Sequence, residues 1–307
     1  GSAIASNEVV RLEYSYDDGV NWVRIGESAV GARELSWQSD LKQVGIELYP
    51  SSPAARWRIY IQTDTNTWAI SDRFGLRNSP FKYYVNDTST VNDVYTSAIG
   101  SDANTGYFTW VPKLNLTALL EEVDLEPTDE VYIDTGTYRM NEPNPPWMSS
   151  TNTPIEWQSS DGGSNGQPVL VRGSWHAAGS TFKATNRFLA GGFFFMDADY
   201  VDLRNLRFSG ESLFFDGAGL VVSNWAVTNG PIAGVAMSIK TDDSTFIDLQ
   251  IDRCSVELSG QGNRLERMQQ RWGGAEIVGT NVTLLNSVVY TTNALQTGVV
   301  VNASSAV

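Results

Sequence analysis

Between residues 129 and 293 one short pattern recurs: apolar, any, apolar, any, turn residue, any, any, apolar. It runs Val131, Ile133, Thr135, Tyr138, and then Val169, Val171, Gly173, with His176 in the last slot. Val201, Leu203, Asn205, Phe208 follow, and then Leu220, Val222, Asn224, Val227. The last two are Leu249, Ile251, Arg253, Val256 and Val282, Leu284, Asn286, Val289. Alternation at period two marks half-buried strands. Asn or Gly in the turn slot enters the left-handed region and lets the chain corner sharply. The turn slots lie 38, 32, 19, 29 and 33 residues apart. A fixed core pattern at variable spacing predicts a solenoid, because extra residues leave as loops between stacked coils. It places Val131, Val169, Val201, Leu220, Leu249 and Val282 in one buried column. Asn205 and Asn224 then share a corner, which Arg253 and Asn286 continue, with Arg253 pointing outward because it cannot be buried unpaired.

Residues 7 to 86 have a different texture. Val10 to Tyr16 alternates, Asp17-Asp18-Gly19 is a hairpin turn signal, and Asn21 to Ile25 is the return strand with Trp22 as a core anchor. Leu35 and Trp37, Ala55 to Gln62, Trp68 to Ser71 and Phe81 to Val85 complete a set of short strands that predicts a β-sandwich. The Tyr14 to Trp22 stretch, Arg56-Trp57-Arg58-Ile59 and Ser71-Asp72-Arg73-Phe74 resemble the immunoglobulin-like modules of bacterial surface proteins. That resemblance implies an accessory or spacer module. Asp17 and Asp18 suit calcium, but a plain hairpin turn explains them without a metal.

Beyond a polar junction at Asn86 to Val91, Val94 to Ser97 and Gly100 to Gly106 look like the opening strand and loop of right-handed parallel β-helix proteins of the pectate-lyase-like superfamily. Leu116, Leu119, Leu120 and Val123 fall at helical spacing, as a short capping helix there requires. Val131 to Tyr138 and Gly166 to Ser174 resemble the first coils of the same superfamily, although Pro127-Thr128-Asp129 departs from its Gly-centred turn. The expected fold is therefore all-β: an immunoglobulin-like sandwich over 1–86, then a right-handed parallel β-helix over 87–307 with a short N-terminal capping helix. This fold class hosts lyases, hydrolases, adhesins and tailspikes, so it fixes no reaction.

Net charge changes the list of partners. The chain has 307 residues and a formal charge of −14, which disfavours nucleic acid and anionic membranes. No stretch approaches a membrane-spanning apolar length. A lone cysteine, Cys254, reads as buried and inert, and a lone histidine argues against a Ser-His-Asp triad or a poly-histidine metal site. Gly1-Ser2-Ala3 carries no signal-peptide pattern, and the chain is expected to be a segment of a longer protein with further domains.

Candidate chemistry is sparse. In lyases of the superfamily that the sequence resembles, a basic residue abstracts a proton beside a uronate carboxylate while Ca²⁺ stabilises the charge. The matching ingredients are Lys240, Asp242 and Asp243, with Asp248 and Asp252 nearby; the same residues also read as a solvated turn. Asp197 and Asp199 share a face if they lie on a strand, and otherwise form a polar turn. Arg264, Arg267 and Arg271 lie at helical spacing beside Trp272, as a clamp for an acidic sugar or as an amphipathic excursion pinned by Leu265 and Met268. Trp147 and Trp157 belong to a long excursion suited to stacking on sugar rings, with Trp175 beside it reading as core. The expected carbohydrate-binding residues are Trp147, Trp157, Arg267, Arg271 and Trp272. Together these features suggest an extracellular or cell-surface segment that binds a polysaccharide or surface glycan without a cofactor, as an adhesive or spacer section. The alternative is a polysaccharide lyase or glycoside hydrolase, with Ca²⁺ at Asp242 and Asp243.

Overall fold

A computed structural model describes residues 8–29, 37, 42–43, 46–47, 49, 51–140, 155–184, 193–210, 212–228, 237–271, 273–290 and 299–303. They fall into two compact units, Gly1–Phe81 and Lys82–Val307. The described chain is all-β, with long parallel sheets and almost no helix.

In the first unit, Val9–Ser15 pairs antiparallel with Val23–Ala29 on one side and Ser52–Ile61 on the other, and Asp64–Ile70 extends the sheet. Phe74–Leu76 also pairs with Ser52–Ile61. The Asp17 turn is tight because Asp18 and Gly19 both hold positive φ. Asp17 accepts hydrogen bonds from the Ser15 hydroxyl and the Asn21 amide, and Asp18 pairs with Arg56 and Arg73. Tyr14, Tyr49 and Ala55 form the buried centre, packed by Val23, Ile25, Trp37 and Phe74. Trp22 is not part of this cluster: it is half-buried, with the Arg58 guanidinium 4.3 Å from its ring centre.

The second unit is three parallel ladders visited in turn. The first ladder runs Lys82–Val85, Glu130–Ile133, Val169–Gly173, Val201–Arg204, and on into Val221–Thr228 and Thr245–Asp252. Lys82–Val85, expected to close the N-terminal module, instead pairs in parallel with Glu130–Ile133. The second ladder starts with Gly136–Met140, Ser180–Ala184 and Leu206–Ser209, and joins the first through the continuous strands Val221–Thr228 and Thr245–Asp252. The third is a separate sheet from Ile155–Trp157 through Phe193–Met196, Ser212–Phe215, Met237–Lys240, Val256–Gln261 and Ala275–Thr280 to Val299–Ala303. Strands such as Glu130–Ile133 and Val169–Gly173 alternate buried and half-buried positions, and their inward residues stack with those of their neighbours. Val131, Val171, Leu203, Val222, Phe246 and Leu265 make one such buried column.

All six residues expected in one column are buried, but they do not share it. Val169, Val201, Leu220 and Val282 line up, whereas Val131 is opposite Val171, and Leu249 is opposite Trp225 in the second ladder. Two causes account for the slip. Residues 174–179 form a corner excursion, so that Phe182, not His176, aligns with Tyr138. Further on, the inward slots that match Leu220 hold polar Ser244 and Asn263, which the apolar pattern passes over. Asn263 is fully buried because its amide is satisfied: Oδ1 accepts from the Thr241 hydroxyl at 3.1 Å and the Ser244 N–H at 3.0 Å, and Nδ2 donates to Thr241 O at 2.5 Å.

The corner column is Asn205, Asn224, Asp248, Arg267 and Asn286, each with positive φ. Arg253, expected in it, turns a different corner, and its side chain is exposed as anticipated. The helix Leu116–Leu120 buries Leu116, Leu119 and Leu120, matching the spacing that predicted it.

Candidate functional site

Period-two strands that bury one face must present the other, and on the first ladder the outward residues form an ordered row. Tyr84, Tyr132, Arg172 and Arg204 are consecutive partners across four strands. Tyr84 and Tyr132 stack with ring centres 5.6 Å apart and planes 15° from parallel. Tyr95 leans on Tyr132 at 5.0 Å and donates its hydroxyl to Gly173 O at 3.1 Å.

Tyr95 is placed by Asp134. This buried carboxylate accepts N–H donors from Val94 (2.7 Å), Tyr95 (2.8 Å), Thr96 (2.7 Å) and Thr135 (2.7 Å), and also the Thr96 hydroxyl (2.9 Å). So many donors supply what a buried charge needs. Beside it Asp93 accepts from Asn86 Nδ2 at 2.7 Å, while its Oδ1 is buried without a partner. Burial, with Asp134 and Asp87 nearby, raises the Asp93 carboxyl above its usual range.

Charges along the row are mostly neutralised. Tyr132 donates its hydroxyl to Glu130, and Lys82 lies 4.0 Å from the same carboxylate. Arg204 grips Asp202 with two hydrogen bonds, its Nε at 2.7 Å. Burial first, then Glu130, pushes the Tyr132 phenol well above its usual range, and burial also raises Tyr84 and Tyr95. The Tyr132 and Tyr95 hydroxyls already donate to Glu130 and Gly173 O, so they leave oxygens able to accept beside the aromatic rings. Such a surface can take a sugar, with rings against its C–H face and phenol oxygens to accept from its hydroxyls.

The third ladder carries a second outward row. Glu156, Phe195, Phe214, Ser238, Glu257 and Glu276 are consecutive partners. Phe195 is 37% exposed and stacks on Phe214 at 4.9 Å, 11° from parallel. Glu257 and Glu276 occupy neighbouring strands, about 4.8 Å apart in backbone spacing.

The residues singled out from sequence fare unevenly. Trp157, expected on the surface to stack on sugar, is 1% exposed: it is an inward residue of the third ladder, opposite Met196. Trp175, read as core, is 71% exposed on the corner after Val169–Gly173. Trp147 and Trp272 lie outside the described residues. Arg264, Arg267 and Arg271 sit on no helix; they belong to Arg264–Glu266, the corner and Gln269–Arg271. Leu265 and Met268 are buried as pins, Leu265 on the strand Arg264–Glu266 and Met268 between it and Gln269–Arg271. Arg264 pairs with Glu266, and Arg267 holds Asp248 through Nε (2.6 Å) and Nη2 (2.9 Å), so neither is a free clamp; Arg271 is exposed.

Lys240 ends a strand with its side chain exposed, and Asp242 and Asp243 follow on the corner, where Asp242 Oδ1 accepts the Gln261 N–H at 2.8 Å. Asp248 stands in the corner column, away from Asp252 at the strand end. Asp199 Oδ1 accepts the Ala218 N–H at 2.7 Å, as a turn residue does. Among the described residues, no group of three or more His, Cys, Asp or Glu is placed to hold a metal ion, and no helix is long and apolar enough to cross a membrane.

Sequence reasoning missed the Tyr84–Tyr132–Arg172–Arg204 row. Alternation did mark Tyr132 and Arg172 as outward. Aligning Val131 with Val169, however, set Tyr132 against Leu170 and hid its true neighbour, two residues on.

No family profile matches the chain, and no curated protein matches it. Among solved structures it is similar to a rhamnogalacturonan lyase, with 14% identity and a TM-score of 0.47, over 74% of this chain. The match spans 62% of that lyase's chain.

Proposed function

We propose that the second unit is a right-handed parallel β-helix that binds carbohydrate on its outer face, as an adhesive or spacer section of a secreted or cell-surface protein. The first unit is then an immunoglobulin-like spacer, and Leu116–Leu120 caps the end of the helix. One observation carries the reading: the Tyr84–Tyr132 stack, with Tyr95 against it, forms an ordered aromatic surface on a parallel ladder. Binding of this kind needs neither metal nor cofactor. The test is a glycan array, followed by incubation of each hit with the protein while unsaturated products and reducing ends are measured. Bound glycan that stays intact supports the reading, and an array without hits refutes it.

A second reading, a glycoside hydrolase, rests on Glu257 and Glu276. Retaining enzymes hold two carboxyl groups about 5 Å apart, which neighbouring outward positions of a parallel ladder can supply, here beside Phe195 and Phe214. New reducing ends that vanish in Glu257→Gln would establish it.

A further inference from the structure

We propose that Arg172 makes the first-ladder row selective for sugars bearing an oxyanion, a carboxylate or a sulfate ester; this rests on the carbohydrate-binding reading above. Among the described residues, the Arg172 side chain forms no hydrogen bond or ion pair. It is half-buried, between Tyr132 on one neighbouring strand and Arg204 on the other. The strand register sets it directly beside Tyr132, and its charge acts against burial on both the Tyr132 and Tyr95 phenols. The acidic groups of the adjacent outward column do not serve it, because Glu130 takes the Tyr132 hydroxyl and Asp202 takes Arg204.

A half-buried guanidinium has given up part of its hydration, and its planar fork of donors fits a carboxylate or sulfate in two parallel hydrogen bonds. Arg204 adds positive potential on the next strand, softened by Asp202. The row thus offers an anion contact and a sugar-stacking surface within one strand spacing, on a molecule whose net charge of −14 would otherwise repel acidic glycans. Local pairing outweighs that distant repulsion at physiological salt, where charges beyond about 8 Å are screened.

The test is calorimetric titration of the whole chain with a uronate oligosaccharide, its neutral methyl ester and a sulfated glycan of similar length. The expected result is preference for one or both anionic ligands over the ester by about tenfold or more, together with loss of that preference in Arg172→Gln. Arg172→Lys, which keeps the charge but not the fork, retains only part of it, and both variants must melt as the wild type does. Tyr132→Ala weakens charged and neutral ligands alike. Equal affinity for ester and acid, or an Arg172→Gln variant with unchanged selectivity, overturns the role of Arg172 and leaves carbohydrate binding standing. Failure of the wild type to bind any of the three, together with an array without hits, overturns both.

Discussion

Asn224 donates from Nδ2 to Asn205 Oδ1 at 2.8 Å, from one strand to the next, and both residues hold left-handed backbones, φ 55° and 60°. The side-chain ladder and the backbone strain are two parts of one device, since Asn tolerates the conformation in which its amide can reach its neighbour. Asn224→Ala should destabilise the unit by about 1–2 kcal/mol from the left-handed backbone alone, with the lost amide bond adding to it. Asn224→Gly should be milder. Urea denaturation of both variants checks this, and equal losses would show that strain is not the cause.

The same corner continues as a different chemistry. Where Asn205 and Asn224 use amides, Asp248 and Arg267 use a two-bond ion pair. The asparagines were legible in the sequence because they recur in the turn slot. Asp248 and Arg267 were not, because charged residues there look like ordinary surface. With them the coil at Asn263, Leu265, Arg267 and Gln270 went unseen, two of its inward slots being filled by the buried amides Asn263 and Gln270. The strands were legible wherever Val, Leu and Phe alternate. Register failed where a corner gained residues, at 174–179, or where polar side chains satisfied one another inside.

Phe246 stands in the buried column between Val222 and Leu265, and Ile247 points outward on the same strand. Phe246→Ala should cost about 3–5 kcal/mol, and Ile247→Ala clearly less. Thermal unfolding separates them, and comparable losses would contradict the assigned faces.

Asp134 gathers the amides of residues 94–96 around one buried carboxylate. Asp134→Ala should remove charge-assisted hydrogen bonds that typically contribute about 1.5–3 kcal/mol each. Hydrogen exchange at Val94, Tyr95 and Thr96 should accelerate, and Tyr95 should lose its place beside Tyr132. Unchanged exchange would mean that the loop is held by something else.

Asp93 gives a pH signature. Its carboxyl is raised in the folded protein by burial and by neighbouring acids, so the native state favours the protonated form. That contribution is complete below the usual aspartate value and is lost as pH rises through the folded value. Asp93→Asn should therefore gain stability relative to wild type between about pH 3.5 and about pH 7. Urea midpoints at both pH values measure it; a pH-independent difference would remove Asp93 from the account.

Glycan affinity of Tyr132→Ala, compared with Glu257→Gln, tests the central claim most directly. Both are measured by calorimetry on a glycan that the wild type binds, with reducing ends followed in the same samples. Carbohydrate binding on the Tyr84–Tyr132 face predicts that Tyr132→Ala weakens affinity by about tenfold or more, that Glu257→Gln binds as wild type, and that no new reducing ends form. Unchanged affinity in Tyr132→Ala would contradict it, as would glycan cleavage that disappears in Glu257→Gln.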